Sequence, residues 1–413
     1  EIMQEIITEL NSLGFYPDKL RTDGSLWRFK RDENDKHGDA WGVCGELFSP
    51  QTGERFMSFV GGDWRNPDVV HIISSKKKFT AIEKKMVSQH FEDAKKKRDA
   101  ELEKIRKLCE QQSLEIWNES QAFTPTEYTE RKKIKGDFGV KTKMSSRGPV
   151  IIVPVKNVDD KLVGLQKIYP DGVKLFHPGT AKKGAFHLIG DHINGEAYIC
   201  EGFATGASLH MATSKPVVVA FDAGNLAPVA REIRRRYRDT KLIVCGDDDK
   251  WTDGNPGRTM AEAAAKASLA STVFPDFATE TKGLTDFNDL HVSSGLDAVR
   301  EKFKSLKVEA HFLKHLGTHG DRFFYISSQN NRVTSLSTSG HNKNNLFSLM
   351  PLEYWESLYK DKLGTRWDEA FSDMMESCHK VGAFNPEIIR GVGYWEDRGR
   401  LLINTGAGVF LGG

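Results

Sequence analysis

The sequence predicts an α/β protein built around a parallel sheet covered by helices. Two observations lead there. Between residues 196 and 275 strand-like and helix-like runs alternate, and the strand runs "EAYICE", "PVVVAFD" and "KLIVCGD" are continuously apolar, as strands buried on both faces must be. Before and after this stretch, apolar and polar residues alternate between turn signals, which marks antiparallel sheet.

Residues 1–75 read as an N-terminal β-rich module. A short helix runs from Ile2 to Leu13, with Ile2, Ile6, Glu9 and Leu13 at helical spacing. Then "LWRFKRD", "AWGVCGELFS" and "ERFMSFVGGDW" alternate as strands, the last two joined by a turn at "SPQTGE". Trp27, Trp41 and Trp64 are interleaved with Arg28, Lys30, Arg31, Arg55 and Arg65, the mixture that stacks bases and follows a phosphate backbone. The same rings also serve as the core of a small sheet, the commoner place for large aromatics.

Residues 76–120 contain no Gly or Pro between Lys76 and Ile116 and are dense in Lys, Arg and Glu, which predicts one long charged helix. Residues 121–195 return to β patterning, with turns at Asp159-Asp160 and Asp171-Gly172, and predict a twisted antiparallel sheet. Residues 196–305 are the α/β centre, where strands joined by helical crossovers pair in parallel. Residues 306–413 mix a hairpin, "DRFFYISSQNNRVTSLS", with amphipathic helices at "PLEYWESLYKDKL" and "RWDEAFSDMMESCHK" and a terminal strand, "RLLINTGAGVFLGG". This region predicts an α+β linker domain.

Composition narrows the function classes. A length of 413 residues suits two or three domains. No window holds the roughly 18 uncharged apolar residues of a membrane span, so the chain reads as soluble, without a membrane partner. The chain opens without Met and stops inside strand-like sequence, which reads as part of something longer. Cys44, Cys109, Cys200, Cys245 and Cys378 are scattered, without a Cys-x-x-Cys, so neither a disulfide framework nor a zinc ribbon is expected. With 59 basic and 57 acidic residues, nucleic-acid binding must come from local patches.

In open parallel sheets the working site lies at the carboxyl ends of the strands. There the sequence places Glu201, Asp222, Asp247, Asp248 and Asp249. Crowded carboxylates repel one another unless a cation intervenes, and an all-oxygen donor set selects a hard ion, Mg²⁺ or Mn²⁺. Such ions serve phosphoryl and nucleotidyl chemistry. Alternation in an extended segment aims Asp247 and Asp249 one way and Asp248 the other. The expected metal ligands are therefore Glu201, Asp247 and Asp249, with Asp222 a helix cap or a supporting residue.

"EGFATG" after a strand, "GDDDK" some forty-five residues on and "GR" opening the next helix resemble the topoisomerase-primase (Toprim) domain, in the form found in primases of phages, plasmids and other mobile elements. Glu201, Asp247 and Asp249 match that family's acidic positions. Gly202 and Gly206 match its small residues after the Glu. Upstream, "RGPVIIVPVKNVDDKLVGLQKIYPDGVKLFHPG" resembles the β-rich segment that precedes Toprim in plasmid-type primases, and downstream "TDFNDLHVSSG" resembles the element after the last Toprim strand. The fold class becomes a Toprim-like sheet preceded by a β-rich primase segment.

The resemblance implies primer synthesis on single-stranded DNA from nucleoside triphosphates. Glu201, Asp247 and Asp249 would be catalytic through Mg²⁺ or Mn²⁺. Lys167, Lys174, Lys182, Lys183 and Arg258 would contact nucleotide or template, and Gly202, Asp222, Asp248, Lys250, Asp286, Asn288 and Asp289 would support the site. "GTHGDRFFYISSQNNRVTSL" and "IIRGVGYWEDRGRLLIN" look like the segment joining primase to helicase in primase-helicases. A helicase partner, C-terminal in the same polypeptide, is therefore expected, as is work in the cytoplasm of a bacterial host. The zinc ribbon of the chromosomal relatives is missing, so template choice falls to Trp27, Trp41, Trp64 and their basic neighbours or to partners. Two alternatives remain: a Toprim nuclease using the same acidic trio, and a single-strand-binding replication scaffold without catalysis.

Overall fold

The computed structural model describes residues 2–412 apart from 33, 36–37, 278–282, 305, 307–310, 330–331, 362, 387–392, 398–399 and 405–408. The chain divides into two compact units, Glu1–Leu108 and Cys109–Gly413. Among the described residues no helix is long and apolar enough to cross a membrane.

In the first unit Asp23–Phe29 (β1), Ala40–Phe48 (β2), Arg55–Asp63 (β3) and Asn66–Ser74 (β4) form an antiparallel meander in chain order. The fourth strand is absent from the sequence reading because its Asn-Pro-Asp opening carries turn residues. Ile2–Ser12 (α1) buries Ile6 and Leu10 with Phe15, Trp27, Phe29 and Phe59 on one face. Leu13, expected on that stripe, is 40% exposed, because the helix has ended and the buried positions step by four. On the other face Trp41, Val43 and Val60 pack with Phe91 and Ala94 of Ala81–Glu119 (α2).

The 39-residue α2 starts five residues later than expected. Thr80 and Glu83 cap its start reciprocally, Thr80 N donating to Glu83 Oε2 at 2.8 Å and Glu83 N to Thr80 Oγ1 at 3.3 Å. Lys76, ahead of the cap, pairs with Glu54 and Glu83 instead.

In the second unit Gln121–Ala122 (β5), Lys141–Ser145 (β6), Gly148–Lys156 (β7), Leu162–Ile168 (β8) and Lys174–Phe176 (β9) form the expected antiparallel sheet in chain order, with Glu127–Arg131 (α3) between the first two strands. The next strand, His187–Ile189 (β10), corrects the reading of residues 121–195 as one sheet. It leaves that sheet and pairs antiparallel with Val217–Val219 of the following one, where Ile189 is fully buried.

The central sheet alternates as predicted: Glu196–Cys200 (β11), Phe203–Thr213 (α4), Val217–Val219 (β12), Ala223–Arg236 (α5), Lys241–Cys245 (β13), Pro256–Ser268 (α6) and Ser271–Val273 (β14). The order is β10-β12-β11-β13-β14, and every pair except the first is parallel. Phe287–Ser294 (α7) and Leu296–Lys304 (α8) join α4 over one face, through Phe203, Ala207, Phe287, Leu290 and Val299. The other face is covered by α5 and α6 through Leu226, Val229, Ile233, Ala261 and Ala264. The chain is thus mixed α/β around a sheet flanked by helices.

Beyond it lie an antiparallel meander of Leu313–His319 (β15), Arg322–Ser327 (β16) and Val333–Ser337 (β17), then Lys343–Leu349 (α9), Leu352–Tyr359 (α10), the small hairpin Lys360–Asp361 (β18) and Gly364–Thr365 (β19), and Trp367–Val381 (α11). Gly393–Asp397 (β20), Arg400–Asn404 (β21) and Val409–Gly412 (β22) pair antiparallel at the end. The single terminal strand expected over residues 400–413 is instead the two strands β21 and β22, with residues 405–408 and 413 outside the described residues. Arginines in and just after α5 fasten this region to the central sheet: Arg235 Nε donates to Leu358 O at 3.0 Å, and Arg238, two residues past the helix, bridges Asp373 at 2.5 Å.

Candidate active site

Because β11 and β13 are parallel neighbours, both end at one rim of the sheet. Glu201 follows β11 directly, and Asp247 follows β13 by two residues. The chain turns at once into α4, with Gly202 as its N-cap. A Cβ at Gly206 would come within 2.8 Å of Val219 Cγ2, so only glycine lets α4 lie this close to the sheet. Asp286 caps α7, and its reciprocal bonds with Asp289 fix a third carboxyl here.

Glu201, Asp247 and Asp286 line one cleft of about 410 Å³, together with Lys174 from β9 and Tyr128, Arg131 and Lys132 from the end of α3. Glu201 Oε1 and Asp247 Oδ1 are buried without a hydrogen-bond partner. Burial pushes the Glu201 carboxyl well above the ordinary range, and the charges of Asp249, Asp222 and Asp286 push it further. Burial also raises Asp247, helped by Glu201 and Asp286. Asp286 is raised by burial and by Asp289. Lys174 carries the opposite sign: the residue as a whole is exposed, but its ammonium lies 3.6 Å from where a Gly202 Cβ would sit, and desolvation there lowers its pKa.

Among the described residues no three His, Cys, Asp or Glu side chains are arranged to hold one ion as they stand. The donor set nonetheless fits a hard cation. Two buried carboxylate oxygens lack any donor, and oxygen-only sites suit Mg²⁺ or Mn²⁺.

The other predicted residues separate into groups. Asp249, an expected metal ligand, is not among the residues that line the cleft, although its charge acts on Glu201; its Oδ2 accepts Gly257 N at 3.0 Å. A Cβ on Gly257 would lie 2.7 Å from that oxygen, so this glycine, the first residue of the "GR" that opens α6, shapes the acidic turn. Asp248 faces away, held by Arg258 Nε at 3.1 Å and Asn255 Nδ2 at 2.7 Å, with Lys250 at 3.7 Å. Burial raises the Asp248 carboxyl, but these partners bring it below its ordinary value. Asp222 caps α5 through Asn225 N and pairs with Lys182. Asn288 is fully buried and donates to Lys132 O at 2.8 Å and Ser208 Oγ at 2.9 Å, tying α7 to α3 and α4.

Of the five cations expected at phosphate, only Lys174 lines the cleft. Lys182 is committed to Asp222, and Arg258 to Asp248 and to the face of Phe274, 3.9 Å away. Lys167 is half-buried on β8, near enough to His177 to add to the lowering that burial causes there. Lys183 is exposed in the loop before β10. The tryptophans also need correction: Trp27 is 5% and Trp41 0% exposed, so neither offers a face to a base. Trp64 is half-buried against Trp41 and covered by the Arg28 guanidinium at 4.5 Å. The reverse omission is Tyr128, Arg131 and Lys132. Their segment reads as β-rich, although Thr126 and Thr129 cap a helix there.

Residues 196–297 match the family model described as the Toprim domain. These residues form a Toprim domain. Two proteins from Escherichia coli, each named DNA primase TraC, are 38% and 37% identical to this chain in alignments of 162 residues that cover 37% of it. The aligned region spans 11% of one and 15% of the other. Both findings agree with the resemblance carried by Glu201, Asp247 and Asp249. Among solved structures, the zinc-binding and RNA polymerase domains of the Aquifex aeolicus primase align at 14% identity and TM-score 0.36, over 92% of this chain and 96% of that one. The primase fragment of the bacteriophage T7 primase-helicase aligns at 16% identity and TM-score 0.32, over 45% and 76%.

Proposed function

We propose that this chain is the primase part of a mobile-element replication protein, joining nucleotides into short primers on a single-stranded DNA template. The observation that carries the reading is the pair of buried, partnerless acceptors, Glu201 Oε1 and Asp247 Oδ1, on the Toprim cleft. Glu201 and Asp247, with Asp249 from beside the cleft, would hold Mg²⁺ or Mn²⁺. When bound, the ion supplies positive charge at the reacting phosphates. Asp286 adds negative charge to the same cleft. Lys174 offers the ammonium that faces a triphosphate, and the shut-in setting strengthens both signs of charge. Asp248 and Arg258 hold the acidic turn rather than substrate. A helicase partner and a bacterial cytoplasm belong to the same proposal.

The test is incorporation of labelled nucleotides on single-stranded templates with Mg²⁺ or Mn²⁺, with Asp247→Asn and Asp249→Asn in parallel. Short products from wild type alone are expected. A metal-dependent rise in melting temperature should accompany them and vanish in Asp247→Asn. Nicked DNA in place of extended product would assign a nuclease instead.

A further inference from the structure

We propose that Phe221 is the surface on which a nucleobase stacks while its phosphates meet the acidic rim. The inference rests on the reading that nucleotides and a nucleic-acid strand meet in this cleft. Among the described residues two aromatic side chains line it; Tyr128 is buried, whereas Phe221 is half-buried and keeps part of its ring on the cleft. Phe221 lies two residues beyond β12, the parallel neighbour of the strand that leads into Glu201. Its backbone has a φ of +76°, a region that glycine enters freely and a bulky residue rarely does. Such outliers persist only where the surrounding structure holds them, and they gather at ligand sites.

The chain is pinned on both sides of this residue. Ala220 N donates to Cys200 O at 2.8 Å, and Ala220 O accepts Asn225 Nδ2 at 2.9 Å. Asp222 accepts Asn225 N at 3.0 Å and pairs with Lys182. Asn225 Nδ2 also reaches Lys182 O and Ala185 O, both at 3.0 Å, and its Oδ1 accepts Gly184 N at 2.8 Å, so the loop before β10 is fixed to the same turn. Part of the ring is packed: it meets Phe176 edge-on, with centroids 5.4 Å apart and planes at 79°, and joins the cluster of Val155, Val163 and Ala185. An aliphatic side chain would fill that gap, and a glycine would relax the backbone; neither would offer a flat face to the cleft. A phosphate gains nothing from such a face. A base does, and stacking serves every base because each has a π face. Two sources share this chemistry, the base of a free nucleotide and a base of the strand.

The experiment uses the full chain with Phe221→Leu, which keeps an apolar filler but removes the face, and Phe221→Tyr, which keeps the face. If Phe221→Leu does not fold, Phe221→Met carries the same comparison. Binding is measured for Mg²⁺-ATP against Mg²⁺-tripolyphosphate, which has no base, and for a labelled oligothymidylate against its abasic counterpart. Phe221→Leu should bind at least one base-bearing probe roughly 10-fold more weakly, the scale of one lost base stack, and the base-free probes as wild type does. Phe221→Tyr should follow wild type on all of them. Loss with ATP assigns the face to the nucleotide, with a matching rise in the KM for nucleotide; loss with oligothymidylate assigns it to the strand. Unchanged binding of every probe by Phe221→Leu would overturn the proposal. So would equal weakening of base-bearing and base-free probes, which marks a structural support, a Phe221→Tyr that loses as much as Phe221→Leu, or a wild type that binds base-bearing probes no better than base-free ones. If wild type makes no primer yet Phe221→Leu separates the probes, the primase reading fails and the stacking face stands. If wild type makes primer and Phe221→Leu matches it on every probe, only the stacking face fails.

Discussion

The Toprim cleft and the N-terminal module both concentrate residues of functional type, yet the fold treats them oppositely. At the cleft, Glu201 and Asp247 follow strands that are buried on both faces, and one oxygen of each is buried without a donor. In the module, Trp27 and Trp41 are absorbed into two sides of one small sheet. A carboxylate gains nothing from burial, so finding one buried and unpaired signals function. A tryptophan gains a great deal from burial, so its presence in a basic, β-rich sequence says little by itself.

This contrast can be broken by substitution. The largest effect is expected at the cleft: Asp247→Asn should lower nucleotide incorporation on the order of 100-fold or more, while its melting temperature in chelator stays level or rises, because a repelling charge is gone. Its neighbour Asp248→Asn should behave inversely, losing about 1–2 kcal/mol of stability from its bonds to Arg258 and Asn255 and less activity. Equal stability losses in the two variants would erase the distinction between the two sides of the acidic turn.

In the module, Trp41→Ala should cost about 3–5 kcal/mol in denaturant unfolding, as deletion of a fully buried indole does. Trp41→Phe should leave single-strand affinity intact. A large loss of DNA binding in a folded Trp41→Phe would return that ring to the role the sequence suggested.

Acid sensitivity gives a third comparison. His187, on β10, is held neutral: burial lowers its pKa to about 4, and its Nε2 lies 2.8 Å from Phe138 O. The unfolded chain takes up that proton near pH 6.5. The contribution is therefore fully present above about pH 6.5 and is lost as pH falls toward 4, reaching about 3 kcal/mol. Wild type should lose that much relative to His187→Gln across the window, in urea melts at successive pH values. A flat difference would mean that His187 is charged in the fold. The smallest effect is expected at Arg28→Ala, which removes only the cation over Trp64 and should cost about 0.5–1 kcal/mol.

The central sheet was legible because continuous apolar strands and helical crossovers leave a single topology, and the topology then dictates where Glu201 and Asp247 must stand. The cap at Asp222 was readable from its place before α5. What escaped the sequence depends on distances between segments far apart in the chain. Nothing local tells that Asn288 bonds Lys132 O across 156 residues, or that Tyr128 reaches the rim formed by residues 201 and 247. The aspartate partners of Lys182 and Arg258 are illegible for the same reason, since a basic side chain reads identically whether a phosphate or an aspartate awaits it. β10 was missed because three residues carry too little pattern to declare which sheet they join.

Both outer strands of the central sheet, β10 and β14, are only three residues long. A sheet with long open margins invites a strand from another molecule, the first step toward aggregation. Margins this short expose too few free amides to template a further ladder, so the sheet that carries the acidic rim also terminates itself.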